Sequence, residues 1–244
     1  MAHLYFTQDP IDESTTRVEL IGDEAHHAAQ VARLREGESI EVSDGRGWRA
    51  LGVARDVSKS LVQVDIESSR FEPERAVQFT LVQALAKGDR DEMAVQASTE
   101  LGVSRVVPWQ SERSISRWDG DKRAKGVARW QAIAREAAKQ SVRSRIPVIT
   151  EPVSTSGIPA AVGDAHILVL DPRSELGIGD WAHSHSGATS IALVVGPEGG
   201  ITDGEVQSLV SAGATAVRVG EDIMRTSTAG PAAIAALNAL LGQW

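Results

Sequence analysis

The sequence predicts an α/β protein, a parallel strand–helix domain preceded by a small β-rich unit. Three observations carry that reading. From about residue 76 onward, apolar strand-like runs alternate with helical patterns, as a parallel sheet with crossover helices requires. Two of those runs, Ile167–Leu170 and Ile191–Val195, are apolar without a break, as expected of strands covered on both faces. Before residue 70 the pattern consists instead of short alternating segments parted by turn residues.

Taken in order, Gly22-Asp23-Glu24 opens a short helical stretch running through His26 and His27 to Leu34. Three alternating segments follow, Ser39–Ser43, Trp48–Asp56 and Leu61–Ser68. The first two are separated by the hairpin-type turn Asp44-Gly45-Arg46-Gly47. The polar, proline-bearing stretch Phe71-Glu72-Pro73-Glu74 reads as a linker, which divides the chain into 1–72 and 73–244. Val77–Ala84 reads as a strand and Asp91–Leu101 as a helix closed by Gly102. Val103–Pro108 reads as a strand, and Lys122–Ser141 as a helix. That helix has Trp130, Ile133, Ala134 and Ala137 on one side, with Arg129, Arg135 and Lys139 largely elsewhere. Pro147–Pro152 is extended, Ala214–Val219 is a last strand, and Ala229–Leu241 a final helix with Thr228 as its cap.

Composition excludes several chemistries. With no cysteine there is no disulfide, thiolate metal site or cysteine nucleophile. His26 and His27 are adjacent in a helical stretch, so they point in different directions and make no simple ligand pair. They read as packing of the N-terminal unit or as contacts to a partner, and no metal is expected. Met1–Phe6 lacks the features of a signal peptide, and no apolar run has the length of a membrane span. A cytoplasmic protein without a membrane partner is expected.

The net charge of −8 argues against a polyanionic partner until its distribution is considered. Residues 1–72 carry 8 basic and 14 acidic side chains, residues 73–150 carry 14 and 9, and residues 151–244 carry 3 and 10. Residues 105–145 alone hold 11 basic against 4 acidic groups. Attraction of phosphate is local, because fields are screened beyond roughly 8–10 Å. A basic middle block in an acidic chain therefore remains compatible with a nucleic acid. An Arg-rich solvated helix face is the bland account of the same charges.

Two segments carry chemistry. Gly196-Pro197-Glu198-Gly199-Gly200 follows directly on the buried run 191–195, where open α/β sheets place their ligands. Thr202 or Asp203 then caps a helix beginning near Glu205. The turn has neither the Lys-Ser/Thr of a P-loop nor the spacing of a dinucleotide fingerprint. The second segment, Val219-Gly220-Glu221-Asp222-Ile223-Met224-Arg225-Thr226-Ser227-Thr228-Ala229-Gly230-Pro231, puts two apolar residues and an arginine in a loop before a helix of small residues.

The pair of segments resembles the SPOUT methyltransferases, within them the ribosomal small-subunit RNA methyltransferase E family. Further matches support the narrower likeness: Lys87-Gly88-Asp89-Arg90, Gln96–Val103, Glu112-Arg113-Ser114, Glu136–Ser141 and His26-His27. They span about residues 20 to 240. Ser227 stands where many relatives carry Glu, and Met224 where Leu is usual. The resemblance implies an N-terminal β-barrel, PUA-like RNA-binding domain and a C-terminal trefoil-knotted α/β domain. It also implies a homodimer with each active site at the subunit interface, S-adenosylmethionine as cofactor, and methylation of uridine N3 in the 16S rRNA of the small ribosomal subunit. By position in the motifs, Leu170, Gly196, Glu198, Gly199, Gly220, Ile223, Met224 and Thr226 form the cofactor pocket. Lys87, Arg90 and Arg225 serve catalysis, while Arg113, Lys87 and Arg90 contact RNA. Glu198 reads as a structural residue of its own turn before it reads as a proton acceptor. Rival readings are a SPOUT enzyme acting on a tRNA ribose 2′-hydroxyl, a silent RNA-binding module, and a metabolic nucleotide-binding enzyme.

Overall fold

The computed structural model describes residues 4–244; of the N-terminal stretch read for a signal peptide, Met1–His3 lie outside them. Two units form. One takes in the chain through Glu74 together with Ala138–Ile146, and the other Arg75–Ala137 with Pro147–Trp244.

The first unit is a five-stranded sheet. Its strands β1 (Leu4–Phe6), β2 (Arg17–Ile21), β3 (Ser39–Ser43), β4 (Trp48–Arg55) and β5 (Leu61–Phe71) lie in the order β1-β3-β4-β5-β2. The β1–β3 pair is parallel and the others antiparallel. Alternation sets which face is buried: Val18, Leu20, Ile40, Val42, Ala50, Ala54, Val62 and Val64 share one core. The expected turn at 44–47 is present, with Asp44 accepting the N–H of Arg46 (2.8 Å) and Gly45 at φ +74°. Helix α1 (Asp23–His26) passes into a π-turn over His27–Val31, so the stretch expected to Leu34 is shorter and wider.

Lys139 departs from the sequence reading. Placed there on a solvated side, it is buried in this first unit, its Nζ 2.8 Å from Glu24 and 5.4 Å from the centre of the Tyr5 ring. The last turn of its helix and the segment to Ile146 return to the N-terminal unit, which helix periodicity cannot reveal. The ammonium is tolerated there because Glu24 neutralises it.

In the second unit, six parallel strands form one sheet: β6 (Gln78–Ala84), β7 (Arg105–Trp109), β8 (Val148–Ile149), β9 (His166–Leu170), β10 (Ser190–Val195) and β11 (Thr215–Val217). Their order is β11-β9-β10-β6-β7-β8. Both faces are covered, as the unbroken apolar runs require. Phe79, Leu81, Leu168, Ile191 and Leu193 pack against α2 (Arg90–Glu100), α3 (Asp121–Gln140), α5 (Ile178–Ser184) and α7 (Thr226–Leu240). Val82, Val107, Val169, Ala192 and Val194 pack against α4 (Ile158–Val162) and α6 (Asp203–Ser211). Helices α4 and α5 are too short for periodicity to announce them.

Two sequence expectations about α7 are corrected. The helix begins at Thr226, with Arg225 at its cap position, so neither Thr228 nor Ala229 opens it. Pro231 consequently lies inside the helix. Thr226 is drawn into the helix because its hydroxyl is bonded elsewhere, as the site below shows.

Gly230 lets α7 approach the sheet, since a Cβ there would stand 2.7 Å from Leu81 Cδ1 and 3.3 Å from Val195 Cγ2. Replacing it by Val should cost at least about 2 kcal/mol through overpacking of a filled core. Gly179, in α5, has open space around the same position. Gly179→Ala should therefore gain about 0.5–1 kcal/mol from helix propensity. Urea unfolding of the two variants beside the native chain checks both signs.

Candidate active site

The sheet order reverses direction beside β6. The chain runs outward to β7 and β8, then returns across the sheet so that β10 lies against β6. Such a reversal leaves a crevice past the carboxyl ends of the strands. A cavity of about 560 Å³ lies there, within the range of small-molecule sites. Its walls come from the ends of β9, β10 and β11: Leu170 to Arg173, Val195 to Glu198 with Gly200 and Ile201, and Val219 to Thr226 apart from Glu221.

The turn after β10 is shaped by contacts that need glycine. A Cβ on Gly196 would stand 2.6 Å from Ile201 Cγ1, and Gly200 is at φ +72°. Thr202 then caps α6 in a full capping box with Glu205. Glu205 is buried, and it also accepts the N–H of Glu112 (2.9 Å) and the hydroxyl of Thr155 (2.9 Å). This carboxylate thereby holds the loop that carries Arg113. The Thr-x-x-Glu spacing was visible in sequence, whereas the two distant donors were not.

Thr226 closes the other side. Its hydroxyl donates to the Gly196 carbonyl (2.7 Å) and accepts from Nε2 of Gln83 (2.9 Å), a buried amide on the central strand β6.

Around the rim, the expected residues separate into groups. Leu170, Gly196, Glu198, Gly220, Ile223, Met224 and Thr226 line the cavity, as do Arg90, Arg113 and Arg225. Gly199 does not. Its carbonyl accepts from Arg113 Nη1 (2.9 Å), and a Cβ would press on Arg113 Cβ at 3.2 Å, so it fits the turn to Arg113 rather than facing the cavity. Lys87 also lies off this cavity and lines a second one. Arg90 is committed to Glu198 (2.8 Å), whose Oε1 also accepts the N–H of Lys87 (3.1 Å). Burial alone would raise the Glu198 pKa. Its own backbone N–H, Arg90 and the Lys87 N–H outweigh burial and hold the carboxyl below its ordinary range. A carboxylate so stabilised is a poor proton acceptor, in keeping with the structural role expected of it. Arg225 and Ile223 are exposed, Ile223 to 83%.

The cavity residues that escaped the sequence reading include the charged pair Asp171 and Arg173. Asp171 receives the backbone N–H and Nε of Arg173 (2.9 and 3.0 Å), and Arg173 also pairs with Asp203 at the head of α6. Burial opposes ionisation of Asp171, but the Arg173 bonds prevail and lower its pKa. Their position straight after a buried strand was the available signal.

The chain matches the RNA methyltransferase domain over residues 73–238 and the RNA methyltransferase PUA domain over residues 20–67. The ribosomal RNA small subunit methyltransferase E of Mycobacterium bovis is 36% identical over all of this chain and 94% of its own length. The chain belongs to the ribosomal RNA small subunit methyltransferase E family. The Bacillus subtilis member is 31% identical across 95% of this chain and 93% of its own. The crystal structure of a Neisseria gonorrhoeae member of the family, bound to S-adenosyl methionine, superposes with a TM-score of 0.88 at 30% identity, covering 98% of each chain. The N-terminal unit is thus PUA-like and the second a methyltransferase fold of the SPOUT class. No helix among the described residues is long and apolar enough to cross a membrane.

Beside the cavity, Asp91 is buried at the start of α2, where it accepts the N–H groups of Ala86 (3.0 Å) and Glu92 (2.9 Å). Burial nevertheless pushes its carboxyl up to about 6. The folded chain therefore binds this proton more tightly than the unfolded one. The resulting stabilisation is complete below about pH 4 and is lost as pH rises through 6. Relative to Asp91→Asn, the native protein should lose about 2 kcal/mol of unfolding free energy between pH 4 and pH 7, whatever constant offset separates the two. Denaturant titrations at a series of pH values measure this, and a flat difference would contradict it.

Proposed function

We propose that this protein transfers a methyl group from S-adenosylmethionine to N3 of a uridine in the 16S rRNA of the small ribosomal subunit. The observation that carries the reading is the cavity beyond β9, β10 and β11, which combines apolar walls, approachable backbone and a cationic rim. Its composition fits the cofactor. Leu170, Ile201, Val219, Ile223 and Met224 offer apolar surface to an adenine, and the backbone at Gly196 and Gly220 is accessible to its polar edge. Asp171 and Asp222 lie in the same wall and suit a cationic ligand.

When bound, S-adenosylmethionine supplies an activated methyl group on a sulfonium. The chain's own task is to position the base and to favour loss of the uracil N3 proton, since the lone pair is nucleophilic only then. Permanent positive charge does this by stabilising the anionic base. Arg90 and Arg113 are fixed by Glu198 and by the Gly199 carbonyl, so they present oriented guanidinium groups. Arg225 forms no ion pair among the described residues within 4 Å, which leaves its charge for substrate. Lys87, Arg90 and Arg113 are assigned to the RNA, and Arg225 together with Arg90 and Lys87 to the reaction. The basic block over 105–145 supports a polyanionic partner.

The active assembly is a homodimer, with the exposed Ile223 and Arg225 at the rim completed by the second copy. The C-terminal segment forms a trefoil knot; the small residues at the head of α7 and the close fit of Gly230 against Leu81 suit threading through a tight loop. The protein acts in the cytoplasm, without a membrane partner.

Incubation of the full chain with labelled S-adenosylmethionine and either small subunits or total tRNA should place label on uridine N3 of the small-subunit RNA. Label in tRNA ribose, or none despite tight cofactor binding, would reject the reading. Gly220 has a backbone any residue adopts, and its Cβ would meet only Met224 Cε at 3.7 Å. Gly220→Val should therefore fold and fill the cavity, weakening S-adenosylmethionine binding at least tenfold by calorimetry. Arg225→Ala should lower kcat by roughly 100-fold or more, with cofactor affinity changed less than threefold.

A further inference from the structure

Lys87 belongs to a second cavity, about 320 Å³ in volume, on the other side of the turn that presents Arg90 to the first. An aromatic platform forms part of its wall. The indole of Trp118 rests on Gly126 of α3, where any Cβ would overlap it, and stands edge-on to buried Trp130 at 5.0 Å. Trp118 itself remains partly exposed, and Ile115 beside it is 73% exposed. Arg129 is held in a fixed orientation by two bonds to Glu92, one of them 2.7 Å.

Charge bears on which part of a nucleotide fits. Asp91 and Glu92 line the cavity beside Lys87 and Arg129, and Arg129 is spent on Glu92, so the interior offers a phosphate no net positive charge. Beyond the lining the charge is positive, with exposed Arg117, Lys122 and Lys125 near it in sequence and the exposed Lys87 of the lining itself. An aromatic, largely neutral ring with N–H donors suits the interior, and its phosphates suit the exterior. Unstacked nucleobases are bound in this way, by stacking on aromatic side chains and by carboxylate acceptors for their N–H groups.

We propose that this cavity receives one unpaired nucleobase flanking the methylated uridine, stacked against Trp118. The inference rests on the RNA-methyltransferase reading above. Through the shared Lys87–Asp91 turn, the flanking base sets the register in which the target enters the first cavity.

The test uses the full chain with S-adenosylmethionine present and RNA oligonucleotides that span the target uridine, each flanking position made abasic in turn. One abasic position should weaken binding about tenfold for the native chain. In Ser116→Tyr, whose new ring occupies the cavity from its rim, the intact oligonucleotide should bind about tenfold more weakly and the same abasic change should add nothing. Cofactor affinity reports whether that variant is folded. Independently, 2-aminopurine at the sensitive position should lose fluorescence on binding the native chain. The proposal is overturned if every abasic position is neutral, if its effect persists undiminished in Ser116→Tyr, or if 2-aminopurine is unquenched. Failure of the underlying reading looks different, because the native chain would then transfer no label to small subunits at all.

Discussion

One hydroxyl group holds the cavity together. Thr226 donates to the carbonyl of Gly196 and accepts from the side-chain amide of Gln83, so it joins segments 30 and 143 residues distant. Gln83 is fully buried on the central strand and its Nε2 also donates to the Ala84 carbonyl. A buried amide is costly without partners, which makes the arrangement selective: α7 must begin where Thr226 can reach both groups. The consequence extends beyond two hydrogen bonds. With its first turn fixed, α7 carries Gly230 onto Leu81 and Val195, and the loop from Gly220 to Arg225 is left spanning the cavity mouth.

The turn on the opposite wall is restrained by two carboxylates. Glu205 ties the start of α6 to the Arg113 loop, and Glu198 ties the Lys87–Arg90 turn to the glycine-rich turn. Each carboxylate accepts backbone N–H groups as well as any side chain, so it orders main chain before it orders charge. Arg90 and Arg113 thereby become parts of rigid loops. Preorganised donors of this kind stabilise developing anionic charge without reorganising when it appears.

How much of this was legible in the sequence depended on the range of the interaction concerned. The alternating and unbroken apolar runs report burial on one or two faces, which is local, and they gave the sheet of each unit. The glycine-rich turn and the 220–226 loop were also visible, because glycine and a polar cluster after a buried strand carry their own signal. Gly199 shows the limit. A motif places it in the cofactor pocket, whereas in the structure it packs against Arg113 and is not part of the cavity wall. Thr228 has the chemistry of a cap, yet α7 already begins at Thr226, whose hydroxyl is engaged by Gln83 from 143 residues away. Lys139 follows the helix pattern of a solvated residue until the chain returns its last turn to Glu24 and Tyr5. Pairings between distant residues are where residue-by-residue reading fails.

The same distinction explains how an acidic chain can offer a basic surface. Of the three arginines beyond residue 150, Arg173 is neutralised by Asp171 and Asp203, and Arg218 donates to the Ser174 carbonyl. Arg225 has no such commitment among the described residues, so the acidic C-terminal region still leaves one cation facing the cavity. In the middle block Arg90, Arg123 and Arg129 are paired, while Lys87, Lys122 and Lys125 remain exposed without a carboxylate within 4 Å among the described residues. Net charge counts both kinds alike. Attraction of a screened polyanion at a distance depends on the uncommitted ones, which present their full charge, whereas a paired guanidinium such as that of Arg90 acts on a group it touches, through its remaining N–H donors.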